Sequence, residues 1–359
     1  MSDPAELKYK VGGVIVATGQ ATKVALPARR LRTSIWMGDP GDVLGGWADR
    51  KTGVLARDHA KVQSRAGVLD DLTLLTTIHM SKDRGVTWKN DNIVKLFPEA
   101  LTLCHDAKIE LYAGYTIADE GAAVGARSKL FVDWISNPVN PTLQEHAQAI
   151  VKFLWDDHKL DFDGIGFDLE LNGLKPHHKG AFIDFYGHLA DLLKARKKVL
   201  SIATGIGDIG AEDKALGTFV AQPFEIAKGH DNVIMRPMCY DMFAWSDEKL
   251  EKWRVHAADY AVNTVGLKPS QFQVGLKTSN NSDIFGDPPK PKKPDGWSPR
   301  KCCLDASGVA DFCKRNLRQR NVGVVTFAGF TDSATIDAGL NPSGPKAGTS
   351  GEPLQQPRP

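Results

Sequence analysis

Between Phe162 and Leu171 the chain reads FDGIGFDLEL, and three of these residues, Asp163, Asp168 and Glu170, are acids. The run is short and apolar between its acids, as a buried strand should be. Side chains alternate faces along a strand, so Gly166, Asp168 and Glu170 share one face, while Asp163 lies at odd spacing to them near the strand start. Two carboxylates this close push at least one pKa upward. A carboxyl group held protonated near neutral pH can donate its proton in general acid catalysis. Glycine in the same row leaves room beside the acids. The competing reading is structural: the acids pair with a buried Lys or Arg.

Other side chains could join such a site. Met238, Tyr240 and Asp241 follow or end a later apolar run, and Trp245 is close to them in sequence. Tyr115 ends another run and either lines the cleft or packs in the core. Arg236 precedes Tyr240 by an even spacing, so it points either toward the acids or into a structural ion pair. His79 reads as structural, and Trp253 as packing. His177 and His178 lack a third ligand at helical spacing, so no metal and no cofactor are expected.

Positioning these groups requires a scaffold. Eight short apolar runs recur: Val11 to Ala17, Leu72 to Ile78, Ile109 to Tyr115, Phe162 to Leu171, Val199 to Thr204, Val233 to Tyr240, Phe272 to Leu276 and Val322 to Ala328. Most are rich in β-branched residues, as buried parallel strands are. Amphipathic stretches lie between most of them. Thr142 to Asp156 puts Leu143, Ala147, Ile150, Val151 and Leu154 on one helical face. The pattern predicts an α/β fold, a single (β/α)8 TIM barrel over residues 1–340. An open doubly wound sheet is the alternative, but no Gly-rich phosphate loop follows the first run. Lys23 to Ala66, carrying Trp36 and Trp47, reads as a long insertion after the first strand. Asp287 to Pro299 reads as a loop, and residues 341–359 as a disordered Gly/Pro-rich tail.

Composition narrows the function classes. A formal net charge of +2 over 359 residues does not call for nucleic acid or an anionic membrane as partner. No apolar stretch has transmembrane length, and the N-terminus lacks the basic and apolar regions of a signal peptide. The expectation is a monomer, either cytoplasmic or exported by a specialised route. Cys302, Cys303 and Cys313 are near enough in sequence for a local disulfide, but free thiols are the preferred reading.

The acidic strand resembles the DxxDxDxE signature of family 18 glycoside hydrolases, the chitinases and endo-β-N-acetylglucosaminidases. Asp163, Asp168 and Glu170 match it, and Gly166 departs from it where the family has its middle aspartate. Met238-Cys-Tyr-Asp241 is similar to the family's MxYD motif. Val322 to Gly329 is similar to its GGVMxW strand, with Phe327 in place of the tryptophan. The three motifs fall in the family's order over roughly residues 10 to 340.

The resemblance implies a barrel enzyme that cleaves glycans containing N-acetylglucosamine (GlcNAc) with retention, assisted by the substrate. Glu170 would protonate the glycosidic oxygen, and the substrate's 2-acetamido oxygen would attack the anomeric carbon. Asp168 would hydrogen-bond the acetamido N–H, Tyr240 would orient its carbonyl, and Asp241 would bind sugar hydroxyls. Asp163, Met238, Tyr115, Trp245 and Phe327 complete the expected binding set. A carbohydrate-binding protein with little turnover is the second reading, and Gly166 is what favours it.

Overall fold

The computed structural model describes residues 6–11, 14–20, 30–38, 40–43, 60–118, 126–170, 176–205, 221–240, 247–278, 304–327 and 330–342. The chain divides into two compact units, Met1–Arg30 and Leu31–Pro359. In the second unit, eight parallel strands close into a barrel: β3 (Thr33–Met37), β4 (Asp71–Met80), β6 (Glu110–Ala118), β7 (Gly164–Glu170), β8 (Val199–Gly205), β9 (Val233–Met238), β10 (Gln273–Lys277) and β11 (Gly323–Phe327). Closure is by β11 pairing with β3 and β3 with β4. A short strand, β5 (Val86–Trp88), adds antiparallel to the far end of β4.

The first strand is not where the apolar runs placed it. Val11 to Ala17 belongs to the first unit, an antiparallel hairpin of β1 (Glu6–Val11) and β2 (Val14–Gln20). Gly-Gly between two alternating runs is a hairpin signal, and that chemistry decides the segment. The barrel's first strand is instead Thr33–Met37, inside the stretch read as an insertion. It escaped notice because it is short and places a serine, not an aliphatic residue, on its inner face. A long connection, residues 38–70, still follows the first strand.

The two faces of each strand have different company. Ile165 and Phe167 of β7 face outward into the apolar layer under the helices; Phe167 stacks on Tyr115 at 4.7 Å and meets Phe185 edge-on at 5.7 Å. The helix carrying Phe185, Lys179–Ala195, buries Phe182, Phe185, Tyr186, Leu189 and Leu193 at helical spacing. The helix Leu143–Val151 starts at a capping box in which the Thr142 hydroxyl accepts from the Glu145 N–H and the Glu145 carboxylate accepts from the Thr142 N–H. Such caps are worth about 1 kcal/mol.

Inside, the lower barrel is polar. Fully buried Arg236 donates to Asp71 Oδ1 at 2.7 Å, Gln273 Oε1 at 2.7 Å, Thr73 Oγ1 at 3.1 Å and Ser34 Oγ at 3.3 Å. Arg32 donates to the other oxygen of Asp71 at 2.7 Å and also pairs with Glu110. Burial pushes the Asp71 carboxyl pKa up, but Arg236 and Arg32 outweigh it and hold the group below its ordinary value. Of the two readings for Arg236, the ion pair is the one found. Among the described residues, no helix is long and apolar enough to cross a membrane.

Candidate active site

Because the strands are parallel, their C-terminal ends meet at one mouth, the end where (β/α)8 enzymes place their chemistry. Glu170, Met238, Lys277 and Phe327 each end a strand there. Tyr240 follows two residues beyond β9. Its peptide neighbour Cys239 is pinned on both sides: Cys239 N–H donates to the Gly275 carbonyl at 2.8 Å, and Arg254 Nε donates to the Cys239 carbonyl at 3.0 Å. Tyr240 meets Trp36 edge-on at 6.2 Å. The Lys277 ammonium lies 5.8 Å from the Tyr240 ring centre and 5.9 Å from that of Phe327. Tyr240, Phe327, Lys277 and Trp36 are thus brought together, with Met238 paired to Gly275 beside them.

The acidic row is organised by its neighbours. Positions 166, 168 and 170 fall on one face of β7, and β6 and β8 supply Gly114, Ser201 and Ala203 in register with them. Gly166 faces the interior, where a Cβ would come within 2.3 Å of the Thr73 methyl. Thr73 therefore fills the space that an aspartate at 166 would need. The β4 register shifts between Leu74 and Ile78. Its backbone there presses on Gly114, where a Cβ would be 2.0 Å from the Leu74 carbonyl oxygen. Asp168 is half-buried. The side chain of Glu170 lies outside the described residues, as do Asp241 and Trp245, so the described part of Glu170 is its place as the last residue of β7.

Two expected site residues are elsewhere. Asp163 precedes β7 at the opposite end of the barrel, about 23 Å from position 170 at roughly 3.3 Å per residue. Its Oδ2 accepts from the Leu111 N–H at 2.9 Å and bonds His105 Nε2 at 2.9 Å, so it ties β6 to β7 rather than binding substrate at the mouth. Tyr115 is fully buried on the outer face of β6, where its hydroxyl bonds His146 Nε2 at 2.9 Å. Odd positions of β6 share a face with Phe167, which is why it points to the helices. His178 is also structural, bonded to Ser136 Oγ at 2.7 Å.

Burial sets the titration of the groups around the barrel. It pushes the thiols of Cys104 and Cys239 up to about 12, and that of Cys313 higher still, leaving three inert free cysteines and no disulfide at Cys313. Burial also lowers His146 to about 4, opposed by a hydrogen bond at the Arg84 backbone. Lys277 and Thr73 were not singled out from the sequence. Lys277 directly follows the seventh apolar run, FQVGL, and a lysine closing a buried strand at the active end was the available signal. Thr73 carried none, because its role depends on reaching across Gly114 to Gly166.

No protein-family model and no curated protein sequence matches the chain. Solved structures do match the fold. A class V chitinase from Pseudomonas fluorescens shares 16% identity over 86% of this chain and 98% of its own, with a TM-score of 0.60. A GH18 chitinase from Pseudoalteromonas aurantia shares 10% over 86% and 98%, at 0.58. The spore cortex-lytic enzyme SleL of Bacillus cereus shares 9% over 85% and 73%, at 0.55. Identities this low establish the fold alone. The protein is a (β/α)8 barrel with the fold of the family 18 chitinases.

Proposed function

We propose that the protein is a glycoside hydrolase that cleaves β-1,4-linked glycans containing GlcNAc, with retention and with the substrate's acetamido group as nucleophile. The observation that carries this reading is the acidic row of β7, ending in Glu170 at the mouth of a chitinase-type barrel. In this mechanism Glu170 protonates the leaving oxygen. The acetamido oxygen attacks the anomeric carbon, forming an oxazolinium ion, and Glu170 then takes a proton from the incoming water. Asp168 accepts from the acetamido N–H and offsets the positive charge. The Tyr240 hydroxyl donates to the acetamido carbonyl, and Asp241, Trp245, Met238 and Phe327 hold the sugars. Solved neighbours described as chitinases and as a cortex-lytic enzyme support a substrate with the required acetamido group.

The test compares the protein with its Glu170→Gln variant on chito-oligosaccharides and peptidoglycan, with products read by mass spectrometry. A loss of about 10²–10⁴-fold is expected for the variant, the scale of general acid catalysis. Equal release by both proteins would sink the role of Glu170. The second reading, a glycan-binding barrel with little turnover, is favoured by one observation, the Thr73 methyl occupying the space at Gly166. Binding without release by either protein would support it.

A further inference from the structure

The helix Asp247–Asp259 packs against β10, and its buried face carries Leu250, Ala257 and Ala258. Arg254 falls on that same face at helical spacing and is only 4% exposed. A guanidinium is costly to bury without polar partners. One of its bonds runs to the backbone: Nε donates to the Cys239 carbonyl at 3.0 Å, with Cζ 6.0 Å from the centre of the Phe312 ring. A hydrogen bond from a charged donor is stronger than one from a neutral group.

The Cys239 carbonyl lies in one rigid peptide plane with the nitrogen and Cα of Tyr240. Tyr240 stands two residues beyond the end of β9, so the direction in which the chain leaves the strand decides where the phenol points. Two bonds fix that direction. The Gly275 carbonyl accepts from the Cys239 N–H at 2.8 Å on the sheet side, and Arg254 holds the Cys239 carbonyl from the helix side. The ring so placed meets Trp36 edge-on at 6.2 Å.

We propose that Arg254 is a positioning residue for Tyr240, setting the peptide plane from which the Tyr240 hydroxyl reaches the substrate's acetamido carbonyl. This inference rests on the glycosidase reading and adds a buried residue to the control of the same site. A reacting or stabilising group displaced by about 1 Å can cost up to about 10²-fold in rate. The Tyr240 bond serves charge that develops in the transition state, so its misplacement should appear in kcat and not in KM.

The test is steady-state kinetics on chitotetraose and on soluble peptidoglycan fragments. The full chain is compared with Arg254→Met, Arg254→Lys, Tyr240→Phe and the two double variants, each where circular dichroism shows it folded. Arg254→Met should lower kcat about tenfold, with KM within about twofold of the parent value. Arg254→Lys keeps a charged donor and should recover part of the loss. In the Tyr240→Phe background, Arg254→Met should cost less than about twofold, because the hydroxyl it places is already gone. A general loosening of the fold would instead lower kcat equally in both backgrounds.

Equal losses in both backgrounds would overturn the proposal, and so would a raised KM with kcat unchanged. Where Arg254→Met does not fold, the same bond is weakened from its other side. The α-hydroxy analogue of tyrosine at position 240 turns the Cys239 carbonyl into an ester, a poorer acceptor, and keeps both the Arg254 side chain and the phenol. A kcat lower by about threefold or more at constant KM is expected, and an unchanged kcat would overturn the proposal. If the parent chain cleaves a probe and Glu170→Gln does not, while changes at Arg254 leave kcat intact, only the positioning role falls. If the parent chain cleaves neither probe, the glycosidase reading falls and this inference with it.

Discussion

Placing an aspartate at position 166, where the resembled signature has one, should destabilise the protein rather than complete its site. The new Cβ would lie 2.3 Å from the Thr73 methyl. Carbon atoms in contact sit about 3.5–4.0 Å apart, so the methyl must retreat by more than about 1 Å. Thr73 is not free to do so, because its hydroxyl accepts from Arg236 Nη1 at 3.1 Å. Overpacking of a tight interior costs about 1–3 kcal/mol, and a hydrogen bond from a charged donor is worth about 1.5–3 kcal/mol. Attraction of the new carboxylate to Arg236 returns part of this, while Asp168 opposes it, and a net loss of about 2–5 kcal/mol is expected. Urea unfolding followed by circular dichroism measures it. Thr73→Ala supplies the control, since the remaining Thr73 Cβ then lies 3.5 Å from the new Cβ, in ordinary contact. The double variant should be more stable than Gly166→Asp alone by at least about 1 kcal/mol, a coupling in the range measured for residues in contact. A wild-type urea midpoint for Gly166→Asp, or strictly additive single changes, would refute the packing argument.

Three further outcomes are expected. Asp71→Asn leaves Arg236 and Arg32 without their shared carboxylate and should cost about 3–5 kcal/mol in urea unfolding; a loss below about 1 kcal/mol would mean that the two guanidiniums find other partners. His146 is held near pKa 4 against an ordinary 6.5, so the unfolded chain takes up its proton first as pH falls. The stability it protects is complete above pH 6.5 and declines by up to about 3 kcal/mol on going to pH 4. His146→Gln should lack that part of the slope, and parallel pH–stability curves for the two proteins would count against it. On the proposed mechanism, Tyr240→Phe should lower kcat by about 10²-fold, the scale of losing one donor to developing charge. Tyr115→Phe should leave kcat unchanged and lower only the melting temperature; the reverse pattern would exchange their assigned places.

How much of this was legible in the sequence depends on what each residue's role requires. Seven of the eight barrel strands announce themselves as apolar runs, because a strand covered by helices outside and packed inside must be apolar on most positions. The eighth does not. Thr33–Met37 turns Ser34 and Trp36 inward, Ser34 onto Asp71 and Trp36 over Gly275, so its inner face reads as polar and aromatic. The hairpin Glu6–Gln20 meanwhile offers a more aliphatic run and takes its place in a hydrophobicity count. Asp163 and Tyr115 were misplaced for a similar reason. Motif spacing records which residues recur together, but strand alternation and the direction of the chain decide which end and which face they occupy.

The departure at Gly166 has its physical account in the stagger of the barrel. Residues paired in register run obliquely from the mouth toward the base: Lys277 beside Phe327, then Trp36, Thr73, Tyr112 and Gly164. Staggered strands make such oblique rows the rule in closed barrels. Thr73 therefore stands midway between the two ends. Its hydroxyl belongs to the Arg236–Asp71 network below, and its methyl to the acidic row above. The volume absent at position 166 is supplied from β4, and the group supplied is apolar. Where the resembled signature has two acids in this row before its glutamate, the chain has one, Asp168, with the Thr73 methyl in the space beside Gly166. On the proposed mechanism, the proton affinity of Glu170 is then governed by Asp168 and by the bound acetamido group. pH–rate profiles of the protein and of its Asp168→Asn variant on one neutral oligosaccharide test that dependence, and superimposable profiles would count against it.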